Sequence, residues 1–285
     1  MRRHPRRRSP LRTLLTLLLL AALAAGFLYW SNAAVQTTQT EIVFSDLPKG
    51  FDGWRIVLLS DLHGAEFGED NQLLFEAVAA QMPEMIALTG DMIDEDTASP
   101  LNYAAKIAAE LSAIAPVYYV TGNHEWATGN VPELKEVLAE SGVSVLSNEY
   151  ITLERGGDAL TIAGIDDPLG YADQKTPEEL TAELYADLGD PFWLLLAHRN
   201  DRFEGQYSLL GADLVLSGHG HGGIIRLPFT DGLLGTERNF FPSFTSGLYE
   251  ANDSAVLVSR GLGNVGMTVR LFNRPEVAVV TLRCA

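Results

Sequence analysis

Short apolar runs, each closed by a polar cluster, recur along the chain. Ile56-Val57-Leu58-Leu59, Met85-Ile86-Ala87-Leu88, Val117-Tyr118-Tyr119-Val120, Phe192 to Leu196 and Leu214-Val215-Leu216 are too short for helices and rich in branched or aromatic residues. They read as buried strands. Other segments space their apolar residues helically. Leu73, Leu74, Ala77 and Val78 follow Asn71, a candidate cap; Leu101, Ala104, Ala105, Ala108 and Leu111 follow Pro100. Val131 to Ser141 has Pro132 in its first turn and Gly142 past its end, and Thr176-Pro177-Glu178-Glu179 is a capping-box start for a helix to about Leu188. Ile151 to Glu154 and Ala159 to Ile165 flank Arg155-Gly156-Gly157-Asp158 as a hairpin, and Glu41 to Phe44, Ala255 to Ser259, Val269 to Phe272 and Val277 to Leu282 are strand-like. Alternating strands and helices with a β-rich close predict an α/β domain of two packed sheets with helices outside.

The N-terminus follows another pattern. Leu14 to Trp30 is a nearly unbroken apolar run of 17 residues, behind six arginines (Arg2, Arg3, Arg6, Arg7, Arg8, Arg12) and no acid. This predicts a membrane anchor with a cytoplasmic N-terminus, Tyr29 and Trp30 at the interface, and an extracytoplasmic domain. Cleavage after Ser31-Asn32-Ala33, giving a secreted protein, is the alternative. The arginine pairs fit twin-arginine export poorly, since Ser9-Pro10 follows Arg8. Ser31 to Thr40 reads as a polar tether. The expected organisation is therefore residues 1–40 as anchor and tether and 41–285 as one catalytic domain.

Charge narrows the partners. The formal charge is −17, and removing the six arginines leaves −17 − 6 = −23 for the remainder. Such a domain has no basic footprint for tracking nucleic acid, so an anionic substrate has to be drawn by bound cations. The single cysteine, Cys284, excludes an intramolecular disulfide.

The polar clusters carry the chemistry. The five strand-like runs deliver, in order, Asp61 and His63, Asp91, Asn123 and His124, His198, and His219 and His221, which places five of the six histidines at one rim of the sheets. Glu66, Glu69, Glu95 and Asp96 read as solvated loop acids, Asp166-Asp167-Pro168 as a structural loop, and Trp126 as either a cleft wall or loop packing. Gly64 to Asp70, Glu125 to Asn130 and Pro228 to Phe241 are the expected pocket-lining loops.

Asp61-Leu62-His63, Gly90-Asp91-Met92-Ile93-Asp94, Gly122-Asn123-His124-Glu125, His198 and Gly218-His219-Gly220-His221 resemble, in order, the five motifs of the calcineurin-like metallophosphoesterases. The resemblance implies a four-layer α/β/β/α sandwich. It implies a dinuclear centre of two divalent ions, one held by Asp61, His63, Asp91 and His221 and the other by Asp91, Asn123, His198 and His219. A hydroxide bridging the ions would attack phosphorus, with His124, oriented by Asp94, protonating the departing oxygen and no phosphoenzyme formed. The mixed nitrogen and oxygen donors suit Mn²⁺ first, with Fe, Zn²⁺ or Mg²⁺ as alternatives.

Ser45-Asp46-Leu47-Pro48 through Trp54, Arg260-Gly261-Leu262-Gly263 and Asn273-Arg274-Pro275-Glu276 resemble bacterial members with an N-terminal membrane segment, among them phosphodiesterases and hydrolases of lipid-linked sugar nucleotides. That points to a phosphodiester or pyrophosphate substrate, including a lipid-linked or cell-envelope one. A phosphomonoesterase or nucleotidase is the alternative, and a non-catalytic scaffold the more distant one. The chain departs from that branch at Arg199-Asn200-Asp201, where a proline usually stands two residues after the histidine, and at Gly220 and Ile224. None of these is an expected ligand, so the departures concern the substrate loop.

Overall fold

The computed structural model describes residues 10–227, 230–236, 239–266 and 268–285. The arginines before Arg12 lie outside them. Helix α1 (Pro10–Ala33) is followed by strands β1 (Gln36–Phe44) and β2 (Arg55–Leu59), helix α2 (Gln72–Ala79), β3 (Met85–Thr89), α3 (Pro100–Ser112) and β4 (Val117–Val120). Then come α4 (Asn123–Thr128), α5 (Val131–Glu140), β5 (Val143–Val145), β6 (Glu149–Arg155), β7 (Asp158–Gly164) and α6 (Pro177–Leu188). The chain closes with β8 (Trp193–Arg199), β9 (Leu214–Gly218), β10 (Ile225–Arg226), β11 (Gly232–Leu234), β12 (Gly247–Ala251), β13 (Ser254–Val258) and β14 (Glu276–Cys284).

Two six-stranded sheets, ordered β1-β14-β2-β3-β4-β5 and β12-β13-β9-β8-β7-β6, pack face to face. Side-chain alternation assigns the layers. Ile56 and Leu58 of β2 point to the inter-sheet core, where they meet Leu194, Leu196, Leu214 and Leu216. Val57 and Leu59 point the other way, onto Leu74 and Val78 of α2, Ala104, Ile107 and Leu111 of α3, and Leu134 and Leu138 of α5. On the far side Leu180 and Leu184 of α6 cover Trp193, Leu195 and Val215. The result is the α/β/β/α sandwich. β2, β3 and β4 run parallel to one another, as do β7, β8 and β9, so their C-terminal ends gather at one edge of the paired sheets.

Three local expectations change. The tether over Ser31 to Thr40 is instead the end of α1 and the first half of β1, which pairs in parallel with β14 from Gln36↔Glu276 to Phe44↔Cys284. The polar Gln36-Thr37-Thr38-Gln39-Thr40 becomes a strand because β14 offers a free edge, a tertiary cause that local pattern does not carry. Val269 to Phe272 is not a strand; only Leu271 bridges, to Ile225. Asn71 does not cap α2, because its Oδ1 accepts the Phe67 N–H at 2.9 Å. The capping box at Thr176 does form, with the Glu179 N–H donated to Thr176 Oγ1 at 3.2 Å and the Thr176 N–H to Glu179 Oε2 at 2.8 Å.

Candidate metal centre

The chain turns sharply after β2, β3 and β9 at that edge. Asp61 (φ 53°), His63 (φ 47°), Asp91 (φ 52°), His219 (φ 66°) and His221 (φ 45°) all hold a left-handed backbone that non-glycine residues rarely adopt. Strain of this kind persists where surrounding structure imposes it and a site needs it. The neighbours are correspondingly small. A Cβ at Gly122 would lie 2.2 Å from Asp91 Oδ1, and one at Gly218 would lie 1.7 Å from Ser60 Oγ.

These turns bring the side chains together in two groups that share Asp91. Ligand atoms of Asp61, His63, Asp91 and His221 all lie within 4.8 Å of one another, and so do those of Asp91, His198 and His219. In the first group His63 Nε2 lies 3.1 Å from His221 Nε2 and 3.7 Å from Asp91 Oδ2, and His221 Nε2 lies 3.3 Å from Asp61 Oδ1. In the second, His198 donates its Nδ1–H to the Thr89 carbonyl at 2.7 Å, which turns Nε2 inward. Nε2 lies 3.1 Å from Asp91 Oδ2, 3.1 Å from His219 Nδ1 and 3.2 Å from Asn123 Oδ1. Imidazole, carboxylate and amide donors that converge in this way fit a divalent transition metal.

The local field agrees. Burial alone would raise the Asp61 and Asp91 carboxyls, but His221 beside the first and His198 beside the second hold both well below the usual carboxylate range. Burial pulls His198 down, yet Asp91 and then Asp61 override it and push it up to about 10. The excess negative charge that draws a proton there also draws a metal ion. His219 is pushed down to about 3 by burial and by the cations His198 and Arg199, so it is a neutral donor.

The residues around the clusters are placed differently from expectation. Asp94 Oδ2 lies 3.5 Å from His63 Nδ1, so Asp94 faces the first group. His124 Nδ1 meets Glu95 Oε2 at 3.1 Å, so Glu95 takes the neighbouring position expected for Asp94 and is no longer a mere loop acid. His124 stacks edge-on against His63 at 4.8 Å, donates its backbone N–H to Asp91 Oδ1 at 2.9 Å and keeps part of its side chain exposed. Trp126 is loop packing: it donates to Thr121 Oγ1 at 2.9 Å and stacks on Tyr171.

Three residues near the site went unassigned in the sequence. Glu125 is wholly buried on α4 and accepts the N–H groups of Gly122, Asp91 and Met92 at 2.7, 2.9 and 2.6 Å. Arg199 donates Nε–H to Asp167 Oδ2 at 2.7 Å and reaches to 3.5 Å from His219 Nε2. Arg270, buried and hydrogen-bonded to the carbonyls of Gly263 and Arg260, lies 3.3 Å from His221 Nδ1. Glu125 follows His124 in the third motif and Arg199 stands in the departure after His198, signals the sequence did contain; nothing local marked Arg270.

The clusters form the floor of a cleft of about 690 Å³. Its walls are largely apolar, with Ile224, Ile225, Leu234, Val265, Val269 and Leu271 among the lining residues. Of the loops expected to line it, only Leu234, Gly235 and Thr236 do so among the described residues; Pro228, Phe229, Glu237 and Arg238 lie outside them.

By class, then, this is a candidate divalent-metal site. The family model described as calcineurin-like phosphoesterase matches residues 55–223. An uncharacterised metallophosphoesterase of Bacillus subtilis strain 168, YkuE, is 31% identical over 92% of this chain and 94% of its own. A Danio rerio transmembrane protein with metallophosphoesterase domain is 30% identical over 96% of this chain and 63% of its own. A solved dimetal phosphatase from Danio rerio aligns over 74% of this chain and 88% of its own, at 13% identity and a TM-score of 0.47. The chain belongs to the calcineurin-like phosphoesterase family, and the protein is a phosphoric ester hydrolase.

Proposed function

We propose that the protein is a membrane-anchored phosphodiesterase with two metal ions, acting on a phosphodiester or pyrophosphate at the cell envelope, including lipid-linked substrates. The observation that carries the dinuclear reading is the double membership of Asp91, whose carboxylate belongs to both ligand groups. Asp61, His63, Asp91 and His221 would hold one ion and Asp91, Asn123, His198 and His219 the other. Divalent ions held there, Mn²⁺ first among them, would polarise phosphoryl oxygens and acidify water.

The chain's own groups supply the rest. His124 stands at the solvent side with Nδ1 held by Glu95, which leaves Nε2 free to give a proton to the departing oxygen. Arg199, anchored by Asp167 beside His219, places a cation next to the second ligand group, where it would favour an anionic phosphoryl group. The apolar cleft walls suit an ester carrying a hydrophobic group. Helix α1 has a mean hydropathy of 2.1 and no buried residues in its apolar window, which supports a membrane span, and the arginines before it support an extracytoplasmic domain.

The test is metal content by elemental analysis beside hydrolysis of a chromogenic phosphodiester and its matching monoester. Two ions per chain, faster diester cleavage, and loss of both binding and turnover in Asp91→Asn are the expected outcome. Monoester preference would favour a phosphomonoesterase. His124→Ala should keep its metals and lose about a hundredfold in kcat on an ester with a poor leaving group, the usual scale for removing a general acid; full turnover would remove His124 from that role.

A further inference from the structure

Exposed apolar residues of the domain include a group beside the cleft. Leu227, Phe240, Phe241, Val269 and Phe272 are between 47% and 75% exposed. A small sheet joins them: β10 pairs with β11, Ile225 bridges to Leu271, and Leu234 bridges to Phe240. Ile225, Leu234 and Leu271 of that sheet also line the cleft, so one thin layer has the site on its inner side and exposed aromatic side chains at its edges.

Helix α1 is fixed to the same layer. Phe27 packs its ring on Phe272 with centroids 4.9 Å apart, and the Arg274 guanidinium lies 4.8 Å from the Trp30 ring. Asn32 accepts the Arg270 N–H at 2.8 Å and donates to the Arg270 carbonyl at 3.1 Å. At 1.5 Å rise per residue, Phe27 and Asn32 are about 8 Å apart along the helix, within reach of the interfacial layer marked by Tyr29 and Trp30. An apolar patch of this kind marks a contact surface, and here it is continuous with the segment that meets lipid.

We propose that the rim of Leu227, Phe240, Phe241, Val269 and Phe272 is a membrane-docking surface, seated in the headgroup layer of the bilayer that α1 spans, so that the cleft takes phosphate esters presented at that surface. The inference rests on the reading of α1 as a membrane span. The anchor is then a rigid mount that sets the height and tilt of the site. A large apolar ring carried into the interface at the end of a fixed helix is favoured there in the manner of an interfacial anchor.

The docking test needs no turnover. In the full chain with Cys284→Ser, Phe241→Cys is labelled with an environment-sensitive fluorophore in phosphatidylcholine nanodiscs containing doxyl-labelled lipid. Met82→Cys, 65% exposed and just before the N-terminal end of β3, is the control on the opposite edge. The label at 241 should be quenched about threefold or more beyond the label at 82, since docking places it at headgroup depth; equal quenching overturns the proposal. In a second arm, Phe240→Ser/Phe241→Ser should cleave a water-soluble diester at the wild-type rate and a phosphodiester lipid in the discs about fivefold more slowly. Unchanged cleavage of the lipid ester also overturns it. A quenched label on a protein inactive toward both esters would instead count against the phosphodiesterase reading alone.

Discussion

Glu125 illustrates how much a buried carboxylate can organise. Its two oxygens tie α4 to the turn after β3 by accepting the N–H groups of Asp91, Met92 and Ile93 there, beside that of Gly122 at the start of α4, and that turn carries Asp91. Burial and the nearby Asp91 push its carboxyl up to about 7, against the pull of His198 and the backbone donors. Glu125→Ala would strand those donors in the interior, at about 1–3 kcal/mol for each buried group left unpaired. We expect a loss of about 3–5 kcal/mol in urea unfolding with an unchanged m-value, and a smaller loss for Glu125→Gln, which keeps one acceptor. A second residue sets a pH dependence far from the metals. Burial, with Asp46 and Asp190 nearby, pushes the Asp213 carboxyl from 3.8 to about 7, although it accepts the Trp193 N–H at 2.7 Å. A raised folded pKa means that the native state binds the proton more tightly, so this contribution is full below about 3.8 and is lost as pH rises through about 7. Asp213→Asn, which retains an acceptor for Trp193, should therefore melt higher than the wild type at pH 8 and show little difference at pH 4; a melting difference independent of pH would remove Asp213 as the source.

At the scale of elements, the ligands come from both halves of the sandwich. Asp61, His63, Asp91 and Asn123 follow β2, β3 and β4 of one sheet, while His198, His219 and His221 lie on or after β8 and β9 of the other. Bound ions would join the C-terminal edges of the two sheets. A ligand at about 100 times its Kd adds about 2.7 kcal/mol, and a domain of this size gains about 2–4 °C per kcal/mol. Saturating Mn²⁺ should therefore raise Tm by about 5–10 °C over the chelator-treated protein for one such ion, and Asp91→Asn should abolish most of that rise. Calorimetry with and without chelator checks both. The sequence made this edge legible because each ligand pair follows a short apolar run whose strand character is local. β1 was only half legible, since Gln36 to Thr40 becomes a strand through β14. Helix α4 spans only Asn123–Thr128 and has too few residues to express a period. The left-handed turns at Asp61, His63, Asp91, His219 and His221 left no trace because no glycine or asparagine marks them. Glu95 and Asp94 sit one residue apart, and only the three-dimensional turn decides that one faces His124 and the other His63.

The whole molecule carries its charge on one side of the proposed membrane. Of the formal −17, the six arginines lie before or within the first turn of α1, so the domain beyond carries −17 − 6 = −23. If the arginines lie on the cytoplasmic face, as proposed, they do not offset that charge on the outer face. A domain held against an anionic bilayer by α1 would then be repelled by the surface its rim must enter. The Debye length falls from about 30 Å at 0.01 M salt to about 8 Å at 0.15 M, so salt should relieve the repulsion while leaving apolar docking intact. In nanodiscs rich in anionic lipid, cleavage of a membrane-presented diester by the full chain should rise about threefold or more over that range of salt. In phosphatidylcholine discs it should stay nearly flat. A rate that falls with salt on the anionic discs would mean that a local cationic contact outweighs the acidic field. The comparison of the two lipids separates that case, because a salt effect on the metal centre itself would appear equally in both.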